Sequence, residues 1–114
     1  MDNRKSGESG EVIARQYYKS RGYEVLECNF RHKRAEIDFI ALTATEQLLV
    51  FVEVKKRSRK DYGEAESFVS ESQQRRIEEA AEAYIFGINW HKDIRFDIAC
   101  VDALGNVEVF EDAF

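Results

Sequence analysis

The chain has no proline, and among its 114 residues there are only two cysteines, two histidines, one tryptophan and one methionine. Each scarcity narrows the field. Without proline there is no proline-rich recognition segment and no stiff proline linker. Cys28 and Cys100 lie in apolar contexts with no CxxC or Cys/His spacing nearby, so both read as small buried hydrophobes rather than metal ligands. His32 and His91 have no ligand-type partners close in sequence, which argues against a zinc site or a histidine-centred mechanism. No stretch approaches the ~18 consecutive apolar residues of a membrane helix. The first residues, MDNRKSGE, lack the apolar centre of a signal peptide. The expectation is a reduced, cytoplasmic protein without a membrane partner.

What is present suffices for one core. Hydrophobic residues make up 44% and charged residues 34%, too much apolar mass for a disordered tail and a length that suits one domain over 1–114. The net charge of −5, taken as one number, argues against nucleic acid. Its distribution removes that objection. Residues 29–60 carry eight bases against four acids, whereas 61–82 sum to −5 and 83–114 to −4. Screening limits each patch to a reach of about 8 Å, so a basic face can hold phosphates on an acidic protein. The plainer reading of Lys55 to Lys60 is a solvated strand end and loop.

Ile13, Ala14, Tyr17 and Tyr18 recur at helical spacing between Gly7 and Arg21, and Gly22 supplies a stop. Tyr23 to Arg31 reads as a strand. Glu36 to Leu42 and Leu48 to Lys56 are rich in Val, Ile, Phe and Leu and flank Thr43–Gln47, which predicts a hairpin. Arg57 to Phe68 is polar and reads as a loop. Ser70 followed by Gln73 fits a capping box opening a helix over about Glu71 to Phe86, with Gly87 as its stop. Asp93 to Asp102 and Val107 to Phe110 close the chain as strands. The order is αβββαββ.

Three charged residues sit in the apolar hairpin. Glu53 and Lys55 are two apart and so share one strand face, while Val52 and Val54 share the other. Asp38 lies among Ile37, Phe39 and Ile40 in the facing strand. A turn centred on Thr45 and Glu46 places Asp38 opposite Glu53 and Glu36 opposite Lys55. Two carboxylates so close share a proton or a divalent cation, and oxygen ligation suits Mg2+ or Mn2+. Lys55 would then handle the attacking water of a phosphodiester hydrolysis. The alternatives are structural: a Glu-x-Lys cross-strand ion pair, and a salt bridge from Asp38 to Lys55. Glu11 is equally explained as a first-turn acid on the helix dipole, and Gln73 as a cap bonding back to Ser70. Arg31, His32, Lys33 and Arg34 read as a turn that either touches phosphate or is merely solvated.

The succession GESGE with Ala14, Gly22-Tyr23, Asn29-Phe30-Arg31, EIDFIA at Glu36–Ala41, VFVEVK at Val50–Lys55 with Arg57, and Arg95-Phe96-Asp97 closely resembles the YraN-like family of small bacterial proteins, from about Gly7 to Val101. That resemblance implies an α/β fold with a restriction-endonuclease-like core, αβββαβ in order, its mixed central sheet flanked by helices, similar to archaeal Holliday-junction resolvases. It places Asp38, Glu53 and Lys55 on the superfamily's acid, acid and lysine positions. It adds Glu11 and the Val54 carbonyl as metal ligands. The chain departs from the superfamily pattern at Ala35, at Ile37 and, in the second helix, at Gln73, an auxiliary position where many relatives carry lysine.

The leading expectation is therefore a Mg2+- or Mn2+-dependent nuclease acting on DNA, with RNA not excluded. Arg31, Lys33, Arg34, Lys56, Arg57, Arg59 and Lys60 would hold the backbone. Small size favours structure-selective over sequence-selective cutting, in repair or recombination, and two duplex strands favour a homodimer. The rival is a nucleic-acid-binding module of the same fold with an inactive site, acting as a recruitment protein. A third reading is an interaction protein docking through its acidic half.

Overall fold

The computed structural model describes residues 9–57 and 69–114, Arg57 by its backbone alone. The predicted loop up to Phe68, Arg59 and Lys60 with it, lies outside the described residues. The elements are α1 (Gly10–Ser20), β1 (Glu24–His32), β2 (Ala35–Leu42), β3 (Leu48–Arg57), α2 (Glu71–Ile88), β4 (Asp93–Asp102) and β5 (Val107–Phe110). They form one five-stranded sheet in the order β1-β2-β3-β4-β5, antiparallel throughout except for the parallel β3–β4 pair. Parallel neighbours need a crossover, and α2 lies between them in sequence. The result is the mixed sheet between two helices of a restriction-endonuclease-like core.

β3 is buried on both faces, which is why Leu48–Val52 is a continuous apolar run instead of an alternation. Leu49 and Phe51 pack with Ile77, Ala80 and Ala81 of α2, while Val50 and Val52 pack with Ala14 and Tyr18 of α1. Two half-cores thus share one strand, and any charge placed on it sits close to both helices.

The helix ends follow their caps. Ser9 opens α1, its side chain accepting from the Val12 amide at 3.4 Å. Ser70 opens α2 by accepting from the Gln73 amide at 3.2 Å. α2 runs past Gly87, the expected stop, because Asn89 takes the left-handed cap at φ 57°, a conformation asparagine tolerates. β1 runs through Arg31 and His32, and the turn expected over Arg31–Arg34 shrinks to Lys33 and Arg34, with Lys33 at φ 56°. Cys100 is buried as expected, but Cys28 is exposed, because β1 is an edge strand with one face open to solvent. Among the described residues no helix is long and apolar enough to cross a membrane.

Gly10 fixes how closely α1 approaches the sheet. A Cβ built there would stand 3.3 Å from Val101 Cβ and 3.4 Å from Val54 Cγ1. Val101 is in the buried core and cannot retreat. Gly10→Ala is expected to cost about 1 kcal/mol despite alanine's better helix propensity; urea unfolding checks this, and a gain in stability would show that the sheet yields.

The C-terminal residues are tied to β4. The Ala113 amide donates to the Phe96 carbonyl at 2.8 Å, and the Phe114 ring stacks on Phe96 at 5.1 Å between centroids.

Candidate active site

The hairpin has the expected register, with Leu42 opposite Leu49 and Phe39 opposite Val52. Beyond that last pair the two strands part. β2 continues to Ala35 alongside β1, and β3 continues to Arg57 alongside β4. The fork opens at Asp38 and Glu53. The expected Glu36–Lys55 pair is not made: Glu36 meets Arg31 at 3.4 Å and Lys55 meets Glu53 at 3.5 Å.

A local twist sets the fork. Ile37 and Ile40, three apart, both pack on the α2 side, whereas Phe39 packs on the α1 side, so the period of two breaks at Asp38. Facing it on β1 is Asn29, with φ 53°, between the kept pairs Phe30–Ile37 and Cys28–Phe39. The Val54 amide, left without a backbone partner on β2, donates to Asp38 Oδ2 at 2.7 Å. Amide and carbonyl of one residue in an extended strand face the same side, so the Val54 carbonyl also faces the fork.

Glu53 is a buried carboxyl, 8% exposed, on an apolar strand. Gln73 Nε2 donates to its Oε2 at 2.8 Å, and Lys55 Nζ lies 3.5 Å from the same oxygen. Gln73 thus does not complete the capping box. Ser70 receives its backbone amide, but its side chain is turned to the carboxyl.

Glu53 and Asp38 both line the fork, close enough for each to shift the other's titration. Burial, then the Asp38 charge, pushes Glu53 up to about 8 against the opposing pull of Lys55. Burial also raises Asp38, partly offset by the Val54 amide. Like charges meeting in a poorly solvated place favour a proton on Glu53.

Glu11 stands apart. In the first turn of α1 it lies 3.9 Å from Arg15. Its carboxyl is raised by burial and then by the charge of Asp38, which makes it a neighbour of the pair. Among the described residues no three Asp, Glu, His or Cys side chains stand close enough to hold a metal ion between them. The available donors are two carboxylates and a main-chain carbonyl, all hard oxygens, a set that fits Mg2+ or Mn2+ completed by water.

The basic residues divide. Arg31 and Lys33 are engaged by Glu36 and Glu79, at 3.4 and 3.8 Å. Lys56 is exposed at the end of β3. Arg34 lines a cleft of about 220 Å³ in the fork, together with Asp38, Glu53, Gln73 and Arg76. Arg76 was not singled out from the sequence. The available signal was its spacing of three from Gln73, which puts both on one face of α2.

A second polar cluster gathers around Asp97, which the sequence offered only within the family motif Arg95-Phe96-Asp97. Asp97 is fully buried and accepts from Tyr18 Oη at 2.7 Å, from Arg95 Nε at 2.7 Å and Nη2 at 2.8 Å, and from the Asp112 amide at 3.2 Å. Arg95 Nη2 also donates to Tyr23 Oη at 3.0 Å. Its partners come from α1, β4 and the C-terminal residues, so it ties the fold together on the α1 face.

The model of uncharacterised protein family UPF0102 matches residues 10–101. The chain belongs to the UPF0102 family. This is the YraN-like family of restriction-endonuclease-like proteins, as the motifs at Glu36–Ala41 and Val50–Lys55 indicated. A UPF0102 protein of Cytophaga hutchinsonii is 38% identical over 101 residues, covering 89% of this chain and 88% of that protein. One of Pelobacter propionicus is 40% identical, covering 88% of this chain and 72% of its own length. Among solved structures, SfsA of Pyrococcus furiosus in complex with Ca2+ gives a TM-score of 0.37 at 12% identity, over 98% of this chain and 64% of SfsA. A likeness of that size carries no weight for function. The UPF0102 match spans every residue of the fork, from Glu11 through Arg76.

Proposed function

We propose that this UPF0102 protein is a divalent-metal-dependent nuclease that hydrolyses DNA phosphodiesters. The observation that carries this reading is the pair of acids Asp38 and Glu53 lining one cleft in a strand fork, with Lys55 3.5 Å from Glu53. A buried carboxyl with a half-buried second acid beside it adds nothing to folding that apolar residues would not supply better, so its place on the central strand points to function.

Asp38, Glu53 and the Val54 carbonyl would hold Mg2+ or Mn2+, with Glu11 at the rim. A bound cation supplies Lewis-acid stabilisation of charge on the phosphoryl oxygens and acidifies its water. The chain's own residues set the stage. The Val54 amide fixes Asp38, and Gln73 fixes Glu53. Lys55, 3.5 Å from Glu53, would orient the attacking water by donating to it and would meet negative charge developing on the phosphoryl oxygens. Contacts to the phosphate backbone fix position without reading bases. Such a site cuts by the shape of DNA, as in flaps and junctions, and a homodimer would place one site on each strand of a duplex.

The test is incubation with linear, flap and four-way-junction DNA in Mg2+ or Mn2+. Wild type is expected to cleave, and Asp38→Asn and Lys55→Ala to leave the DNA intact. Cleavage surviving both substitutions, or no cleavage by wild type on any of these substrates, would overturn the proposal.

A further inference from the structure

The arginines with described side chains are seven, and five of them are engaged. Arg15 pairs with Glu11 at 3.9 Å, Arg31 with Glu36 at 3.4 Å, Arg75 with Glu71 at 4.0 Å and Arg95 with Asp97 at 2.7 Å. Arg21 lies over the Tyr17 ring at 3.7 Å. Arg34 and Arg76 alone make no ion pair, side-chain hydrogen bond or ring contact among the described residues, and both line the cleft at the fork. They reach it from opposite elements, Arg34 from the β1–β2 turn and Arg76 from α2, one turn beyond Gln73.

Their freedom beside two acids is the informative point. Asp38 is satisfied by the Val54 amide and Glu53 by Gln73 and Lys55, so neither acid draws the guanidiniums in. Each guanidinium keeps its fork of donors available, a geometry that matches pairs of oxygens on an anion. The cleft of about 220 Å³ is below the size of a typical small-molecule pocket, but it takes a phosphate group with its ester oxygens. The carboxyls mark where a cation would sit, and the arginines where an anion would.

We propose that Arg34 and Arg76 form a two-armed clamp for one backbone phosphate of the nucleic-acid strand, seated in the cleft beside Asp38 and Glu53. The clamp rests on the nuclease reading of this site and deepens it by naming the recognised group and the residues that grip it. It adds Arg76, from the acidic half of the chain, to a surface that the charge pattern had confined to residues 29–60.

The experiment measures anisotropy of a fluorescein-labelled four-way junction against KCl concentration, in an Asp38→Asn background that keeps the DNA intact. Arg34→Ala and Arg76→Ala are each expected to weaken binding roughly 10-fold and to lower the salt slope by about 1. Arg76→Lys keeps the charge but not the fork and should recover only part of the loss. Arg75→Ala removes the same charge from the same helix outside the cleft and should stay within about twofold of the parent. If both alanine variants behave like Arg75→Ala, or if the parent does not bind the junction, the clamp is wrong. Cleavage by the wild type is read separately: its presence with an inert clamp leaves the nuclease reading standing, and its absence with an active clamp sinks that reading alone.

Discussion

Asp97→Ala is expected to destabilise the protein by about 3–5 kcal/mol, a large share of the ~5–15 kcal/mol that holds a domain of ordinary stability. The side chain is 0% exposed and accepts four hydrogen bonds. Removing it strands the Arg95 guanidinium, only 17% exposed, with one distant carboxylate, Glu111 at 3.6 Å. The Tyr18 hydroxyl and the Asp112 amide lose their acceptor in the same step. Tyr18→Phe removes one donor and leaves the other three bonds, so its cost should be about 1–2 kcal/mol. Asp97→Asn falls between, because its amide nitrogen would face other donors. Urea unfolding of the three variants ranks them, and an Asp97→Ala protein within about 1 kcal/mol of wild type would show that water replaces the carboxylate.

That cluster also shows where sequence reasoning stops. Tyr18 and Asp97 are 79 residues apart, and no local pattern links them. Within the chain, Asp97 reads as one more polar residue of a strand, and only the family resemblance singled out Arg95-Phe96-Asp97. The hairpin was legible because its information is local. Thr43–Gln47 separates two apolar runs, and in a strand pair buried on both sides the turn fixes the register. Asp38 and Glu53 were legible as charges in places where charge is costly. What the pattern could not disclose is that the strands part just beyond Phe39 and Val52. At that point Asn29 takes a left-handed conformation across from Asp38, and an asparagine in a strand carries no sign of it.

Ambiguity of a different kind attached to the helix residues. Gln73 satisfied a capping box on paper, and the fold spent its side chain on Glu53. Arg76 lies on a helix rich in charge, where an arginine by default is read as solvated. Both became informative only when the crossover laid α2 over β2 and brought its first turns to the fork beside Glu53. Arg31 and Lys33 went the other way, since acids from β2 and α2 already engage them.

Asp38→Asn should raise the stability of the metal-free protein while lowering cleavage by about three orders of magnitude (~4 kcal/mol of barrier). Asparagine still offers an oxygen to the Val54 amide, and the like charge beside Glu53 disappears. The pH dependence gives the sign. Because Glu53 is raised from 4.5 to about 8 in the folded state, the folded protein binds more protons than the unfolded chain between those values. Wild-type stability in the absence of metal therefore falls as pH rises across that window and levels off above it. In Asp38→Asn that fall should shrink, leaving the variant about 1 kcal/mol more stable near pH 8. Mg2+ or Mn2+ binds the folded acid pair and not the unfolded chain, so metal at about ten times its dissociation constant should return ~1.4 kcal/mol to wild type, visible as a higher Tm. The variant should respond weakly or not at all. Thermal melts at several pH values, with and without metal, read every part of this expectation. A wild-type Tm that is flat with pH and indifferent to both cations would mean that the pair is structural. Opposite shifts in stability and activity from one substitution would mark Asp38 as a residue retained for chemistry at a cost to folding.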